Sequence, residues 1–166
     1  MHPSQLPPLE LIKHCQESRT RRPGPGGQHR NKVETAVILH HERTGISAEA
    51  NERRSQADNR NVALFRLRVT LALDVRSDAV ESPSLSPLWL SRIANERIRV
   101  NPEHADFPAL LAEALDAVAR NEFDLKVASE QLQVTASQLL KFLKLEPRAL
   151  GLVNRARIER GLHVFV

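Results

Sequence analysis

With one cysteine in 166 residues, Cys15, the chain has no internal disulfide framework, and this fits a reducing cytoplasm. No apolar run approaches the roughly 20 residues needed to cross a bilayer, and MHPSQLPPLELIKHC lacks the basic-then-apolar pattern of a signal peptide. No membrane partner is expected. There is no Gly-x-Ser-x-Gly elbow, no His-Glu-x-x-His and no Gly-x-x-x-x-Gly-Lys-Ser/Thr loop. The familiar frames for serine, zinc and nucleotide hydrolysis are therefore missing. His40 and His41 point to opposite faces of a strand, and there is one thiol only, so neither a metal site nor a cofactor is expected. Cys15 itself reads as a packed thiol rather than a nucleophile. Trp89, the lone tryptophan, reads as helix core rather than as a base-stacking platform. No internal repeat is present.

What is present is unevenly placed. Residues 1–75 hold 12 Lys/Arg against 8 Asp/Glu, whereas residues 76–166 hold 12 against 12, so the whole excess of +4 lies in the first part. That asymmetry points to an anionic partner, nucleic acid before membrane, because no basic amphipathic helix accompanies it. The excess peaks in RTRRPGPGGQHRNKV. Arg19, Arg21, Arg22, Arg30 and Lys32 surround a Pro/Gly loop with no acid between Arg19 and Val33. Adjacent Gly26 and Gly27 take backbone conformations closed to other residues and leave the chain bare enough to press against a ligand. Cations on both flanks hold a phosphate backbone without reading its sequence.

Periodicity divides the chain into three stretches. Residues 1–75 read as a small α+β domain. A short helix spans residues 9–15 with Leu9, Ile12 and Cys15 inward, and an edge strand follows from Gln16. After the loop come a β-rich run from Val33 to His40, a hairpin connection at Glu42–Gly45 and a return strand through Ile46, Ala48 and Ala50. A helix from Ser55 then carries Val62, Phe65, Val69 and Leu73 as its core face. Leu64, Leu67 and Leu71 widen that face, and Arg60, Arg66 and Arg68 lie at its margins. Residues 76–87, RSDAVESPSLSP, read as a linker. Residues 88–166 read as an all-α domain. A helix starts with Pro87 at its first position and runs through PLWLSRIANERI with Ile93 inward. Three more follow: Pro108–Arg120 with Leu111, Leu115 and Val118 inward; one capped by Asp124 with Val127, Ala128 and Leu132; and one capped by Thr135 with Leu139, Phe142 and Leu143. A last helix runs from about Pro147 to Arg160 and stops at Gly161. The break Leu132-Gln133-Val134-Thr135 is similar to the turn of helix-turn-helix proteins, with Gln133 where a positive φ usually calls for glycine. Ser137, Gln138, Lys141 and Lys144 follow it on the candidate recognition helix.

Gly24-Pro25-Gly26-Gly27-Gln28 followed by Asn31-Lys32-Val33 resembles the catalytic domain of class I peptide-chain release factors and their codon-independent relatives, the ribosome-rescue peptidyl-tRNA hydrolases. The resemblance continues through Arg43-Thr44-Gly45-Ile46, Glu52-Arg53-Arg54-Ser55-Gln56 and Asn59-Arg60-Asn61, and covers roughly residues 16–73. It implies a short β-sheet packed on a helix, with Gly26, Gly27 and Gln28 catalytic. Arg21, Arg22, Arg30, Lys32, Arg53, Arg54, Ser55, Gln56 and Arg60 would contact tRNA or ribosomal RNA, and Gly24, Pro25, Asn31 and Thr35 would shape the loop. The implied partners are the ribosome and peptidyl-tRNA, and the implied reaction is ester hydrolysis completed by the peptidyl-transferase centre. Only 18 residues precede Arg19 and no codon-reading domain is recognisable after Val75, so codon-independent release is expected. The rescue hydrolases carry a basic C-terminal tail where this chain has a neutral helical part, open to a further nucleic-acid or protein contact. The competing class is a non-catalytic module that binds structured RNA through the basic loop and the helical part.

Overall fold

Val37, Leu39 and His41 alternate with Ile38 and His40, and this period of two makes Ala36–His41 the central strand of a sheet. The computed structural model describes residues 2–20, 36–77 and 84–166. They fold as α+β in two units, Leu6–Leu71 and Met1–Gln5 with Ala72–Val166. Residues 78–83 of the Ser/Pro-rich stretch, and Arg21–Thr35 of the loop region, lie outside the described residues.

The first unit begins with α1 (Pro8–Ile12), then β1 (Cys15–Thr20), β2 (Ala36–His41), β3 (Ser47–Ala50) and α2 (Gln56–Asp74), whose last three residues belong to the second unit. The sheet order is β1-β2-β3, antiparallel throughout, with Cys15 opposite His41, Thr20 opposite Ala36 and Val37 opposite Ala50. Its hairpin turn needs a positive φ, which Gly45 supplies at +72°. The Gly45 N–H closes the turn on the His41 carbonyl at 2.9 Å. Helix α2 is tied to both outer strands. Arg60 Nε donates to Glu17 of β1 at 2.7 Å, and Arg66 donates to the Glu49 carbonyl of β3 at 2.8 Å.

Two expectations about this unit need correction. Leu9 is 78% exposed, and Leu11 fills the core instead; the five residues of α1 are too few to define a face by spacing. In α2 Val69 and Leu73 are buried as expected, as are Leu64, Leu67 and Leu71, but Val62 and Phe65 are only half-buried; Asn59 and Ala63 complete a buried row with Leu67 and Leu71, and Arg68 is buried to 6% exposure.

The second unit opens on a 3₁₀ turn, Pro3–Gln5, packed on the later helix Phe107–Arg120. His2 fastens it: its Nε2 lies 3.0 Å from the Val75 carbonyl, while its Nδ1 accepts from the Ser4 N–H and hydroxyl at 3.1 and 2.7 Å. Then come α3 (Pro87–Arg92), β4 (Ile93–Ala94), β5 (Arg97–Ile98), α4 (Phe107–Arg120), α5 (Leu125–Gln131), α6 (Ala136–Lys144) and α7 (Pro147–Glu159). Caps fall where short polar residues precede apolar runs: Ser86, Asp124, Thr135 and Glu146 each accept from backbone N–H groups of the turn they open. Trp89 donates from Nε1 to the Leu132 carbonyl at 2.9 Å and meets the Phe142 ring edge-on at 5.9 Å; Phe107 packs on Phe142 at 5.6 Å. Lone Trp89 is core.

Here too two expectations fail. The helix from Pro87 stops at Arg92, and Ile93–Ile98 is a hairpin turning through Asn95 and Glu96 at φ +50° and +57°, the left-handed pair that a tight hairpin requires. Val127 is 46% exposed, because Leu125, Ala128, Ser129 and Leu132 form the inward row of α5. Gln133 does adopt a left-handed conformation, at φ +56°, and α7 does stop before Gly161, at φ +70°.

Candidate nucleic-acid interface

Antiparallel topology decides what meets what. Thr20 and Ala36, the residues bordering segment 21–35, are paired neighbours at one end of the sheet. Ala50 lies beside Val37 at that same end, so the chain leaving β3 as Glu52-Arg53-Arg54-Ser55 starts next to the feet of the loop. Two stretches far apart in sequence thus share one end of one sheet. The catalytic candidates Gly26, Gly27 and Gln28, the cations Arg21, Arg22, Arg30 and Lys32, and Gly24, Pro25, Asn31 and Thr35 lie outside the described residues.

The Arg53–Gln56 corner is held by a residue that spacing did not single out. Asn59, buried in the core row of α2, accepts the Arg53 N–H on Oδ1 at 2.8 Å and donates from Nδ2 to the Arg53 carbonyl at 3.0 Å. A polar side chain in the otherwise apolar row 59, 63, 67, 71 is the sequence signal that marks such a lock. Ser55 caps α2, its Oγ accepting the Asp58 N–H at 3.3 Å. Gln56 is the first helical residue and half-buried. Arg53 and Arg54 are exposed, and among the described residues neither has an ion-pair partner. The acid beside them is already engaged: Glu52 takes Arg66 Nη2 at 2.5 Å and the Asn51 N–H at 3.0 Å. Burial alone would raise the Glu52 carboxyl, but its backbone hydrogen bonds and Arg66 outweigh that and hold it below the usual carboxylate value. Among the described residues, Arg53 and Arg54 at this corner therefore have no carboxylate to neutralise them.

Arg60 is placed differently. Its contact with Glu17, which also takes Arg19 at 3.0 Å, makes a three-residue charge cluster along β1. Burial pushes the Glu17 carboxyl up, yet hydrogen bonds from Arg60 and Arg19 and their charges hold it below its ordinary value. Of the expected cations, Arg53 and Arg54 are presented outward, and Arg60 is partly neutralised.

The remaining candidates for side-chain chemistry point elsewhere. Cys15 Sγ donates to the Leu11 carbonyl at 3.3 Å, and burial, helped by Glu42, pushes its thiol up rather than toward thiolate. His40 Nδ1 faces Ser47 Oγ and His41 Nδ1 faces Thr44 Oγ1, each at 2.8 Å, so the two rings diverge. Burial first, then His14 and Arg43, lowers the His41 ring below its ordinary value.

A small antiparallel sheet tied to one long helix, with an exposed arginine corner beyond the sheet end where Thr20 and Ala36 pair, makes up the α+β unit. The chain belongs to the RF-1 domain family, which matches residues 12–100. It is 32% identical over 136 residues to peptide chain release factor PrfB1, chloroplastic, of Arabidopsis thaliana, covering 68% of this chain and 29% of that one. It is 34% identical over 100 residues to the mitochondrial peptide chain release factor 1 of Bos taurus, covering 59% of this chain and 22% of the relative. Over a shorter reach, 51 residues, it is 51% identical to peptide chain release factor 2 of Acidovorax sp., covering 31% and 14%. The chain thus spans less than a third of the length of these relatives. No solved structure matches it.

Proposed function

We propose that this protein is a cytoplasmic, codon-independent peptidyl-tRNA hydrolase that releases nascent chains from stalled ribosomes or detached large subunits. The observation that carries the reading is the RF-1 domain match over residues 12–100, which includes both Gly26-Gly27-Gln28 and the arginine corner, among relatives named as peptide chain release factors. Codon independence follows the rescue hydrolases that the loop resembles.

The chemistry asks little of side chains. Water attacks the ester carbonyl joining peptide to terminal ribose, an oxyanion develops, and the ribose oxygen leaves with growing negative charge. A backbone N–H aimed at that charge supplies roughly 2.7–4 kcal/mol. Gly26 and Gly27 let the loop enter a crowded site and turn the Gln28 N–H to the ester, while the Gln28 side chain positions water and excludes larger nucleophiles. Gly24, Pro25, Asn31 and Thr35 shape the loop. Arg21, Arg22, Arg30, Lys32, Arg53 and Arg54 hold tRNA and ribosomal RNA by their phosphates, with Arg60 steadied by Glu17, Ser55 capping the helix that carries the corner and Gln56 opening it. The peptidyl-transferase centre completes the site.

The test is release of labelled peptide from purified ribosome–peptidyl-tRNA complexes with an empty, sense or stop codon in the decoding site. Release in all three states is expected. It should fall in Gln28→Ala, which loses the side chain, and fall about 10²–10³-fold in Gln28→Pro, which also loses the N–H. Release at the stop codon alone would make the protein codon-dependent. Binding without release in any state would leave an RNA-binding module.

A further inference from the structure

Summed over residues 76–166 the charges cancel, but they are not mixed. Residues 76–140 carry 6 Lys/Arg against 10 Asp/Glu, and residues 141–166 carry 6 against 2, so the neutral part is split into −4 and +4. The change of sign falls inside α6. Its start is acidic: Glu96 and Glu130 line one surface cavity with Gln133 and Val134, and the Thr135 N–H donates to the Glu96 carbonyl at 3.1 Å. Its end is basic, with Lys141 and Lys144.

Packing decides which side of α6 is left over. Leu139, Phe142 and Leu143 are buried, and Trp89 and Phe107 hold Phe142. Ser137, Lys141 and Lys144, at i, i+4 and i+7, then share the outward side, and all three are exposed. Helix α7 continues the pattern with Arg148 and Arg155, seven apart and both exposed. Between them Gly151 sits mid-helix, where glycine is unfavourable, and a side chain added there would meet nothing within 4 Å. Among the described residues nothing fills that space.

The ends of the two helices are fastened together by the last residues. Lys144 Nζ donates to the Val166 carbonyl at 2.5 Å. Asn154 grips Phe165 through both its N–H and its carbonyl at 2.8 Å, and the Arg157 guanidinium lies 4.1 Å from the centre of the Phe165 ring. Arg157 and Arg160 are thus turned to internal work, Arg160 over Phe123 at 4.5 Å. Among the described residues Lys141 and Arg155 have no carboxylate partner, while Lys144 is held by Val166 and Arg148 pairs with Glu146.

A helix-turn-helix that reads DNA sets the first residues of its second helix against base edges in the major groove. In this unit the turn just before those residues shares a surface cavity with Glu96 and Glu130, which repel phosphate, and the cations come one turn and more later. We infer that the outward sides of α6, with Lys141 and Lys144, and of α7, with Arg148 and Arg155 on either side of the bare Gly151, hold the phosphate backbone of structured RNA. It is a second contact without base reading, separate from the loop and arginine corner. The acidic end turns away from the RNA, so the split charge also sets an orientation. The choice of RNA as the polyanion rests on the proposed ribosomal function.

The experiment measures fluorescence anisotropy of a labelled RNA hairpin with the full-length protein across a series of KCl concentrations. Lys141→Gln/Lys144→Gln is compared with Arg97→Gln/Lys126→Gln, an equal charge change at exposed positions on β5 and α5. The first pair should weaken binding about tenfold and lower the slope of log K against log salt by about two; the second should change neither. Gly151→Gln, a change that favours the helix, should weaken binding without altering the charge. Equal loss in both pairs would show that net charge alone binds, and no loss in the first pair would show that the face is idle; either result overturns the assignment. Tighter binding to a DNA duplex of the same sequence would overturn the choice of RNA. Only binding is read, so a protein that hydrolysed no ester would still report on this face, and the two readings fail separately.

Discussion

The two units use their polar residues for opposite ends. In the sheet unit, Asn59, Glu17 and Glu52 hold Arg53, Arg60 and Arg66, with Glu17 opposite Leu39 in mid-sheet. In the helical unit, Ser86, Asp124, Thr135 and Glu146 close helix ends, and Asp116 takes Arg76 together with the N–H and hydroxyl of Ser77. Polar side chains therefore hold arginines in one unit and mostly close helix ends in the other. What remains outward in the helical unit is a charge distribution, not a constellation. A motif search finds the first kind of surface and passes over the second.

The largest effect that probes this contrast is Trp89→Ala. Removing the ring that bridges the Leu132 carbonyl and Phe142 should destabilise the helical unit by about 3–5 kcal/mol, read by urea denaturation. Hydrogen exchange should show β1–β3 still protected; simultaneous loss of protection in the sheet would end the division into two units. Next, Asn59→Ala strands the Arg53 N–H and carbonyl and should cost about 1–3 kcal/mol. It should also weaken RNA binding by releasing Arg53. An unchanged affinity would reduce Asn59 to a packing residue.

These expectations show what could be read in advance and what could not. Pro87 at its first helical position, the caps Asp124 and Thr135 and the stop at Gly161 were legible because each acts within one turn of its own helix. The α+β reading of the first unit stood on the same footing, since a change from period two to period 3.6 is local. The hairpin at Ile93–Ile98 was hidden because its apolar residues also suit a helix, and Asn95-Glu96 lacks the glycine that usually marks such a turn. Leu9 and Val127 were assigned inward on helices of five and seven residues, where a single turn either way changes the face. At the site, the order of motifs pointed to the arginine corner, but Glu17 and Asn59 act through pairings 43 and 6 residues away that spacing does not carry. The split charge of residues 76–166 vanished in its own sum.

A smaller effect sharpens the reading of the turn. Gln133 holds a left-handed conformation that costs a side-chain-bearing residue about 1–2 kcal/mol, so Gln133→Gly should raise stability by about 1 kcal/mol, seen as a higher Tm. A lower Tm would mean that the Gln133 side chain stabilises the turn by more than its strain.

The smallest effect is one both units share. Burial is the main cause that lowers the His2 ring below the ordinary histidine value; the Val75 carbonyl and Asp116 pull upward without overcoming it. His41 is lowered likewise. A group lowered in the folded state binds fewer protons there than in the unfolded chain. Its contribution is therefore complete above about pH 6.5 and is lost as pH falls below that value. Denaturation midpoints should drop on acidification through this range. His2→Gln should flatten the response of the helical unit alone, and a change in the sheet unit's response would show the two to be coupled.

The pairing of Thr20 with Ala36 has a consequence for distance. Both feet of the 15-residue segment between them are pinned one strand spacing apart, so its tip must go out and return on one chain. At 3.3–3.6 Å per residue that caps its reach at roughly 25 Å from the sheet. For the proposed hydrolase, the ester must therefore lie within that radius of β1 and β2, which makes the sheet a ruler as well as a support. Lengthening the segment would extend the ruler at little thermodynamic cost, since doubling a loop adds only about 0.6 kcal/mol of closure entropy.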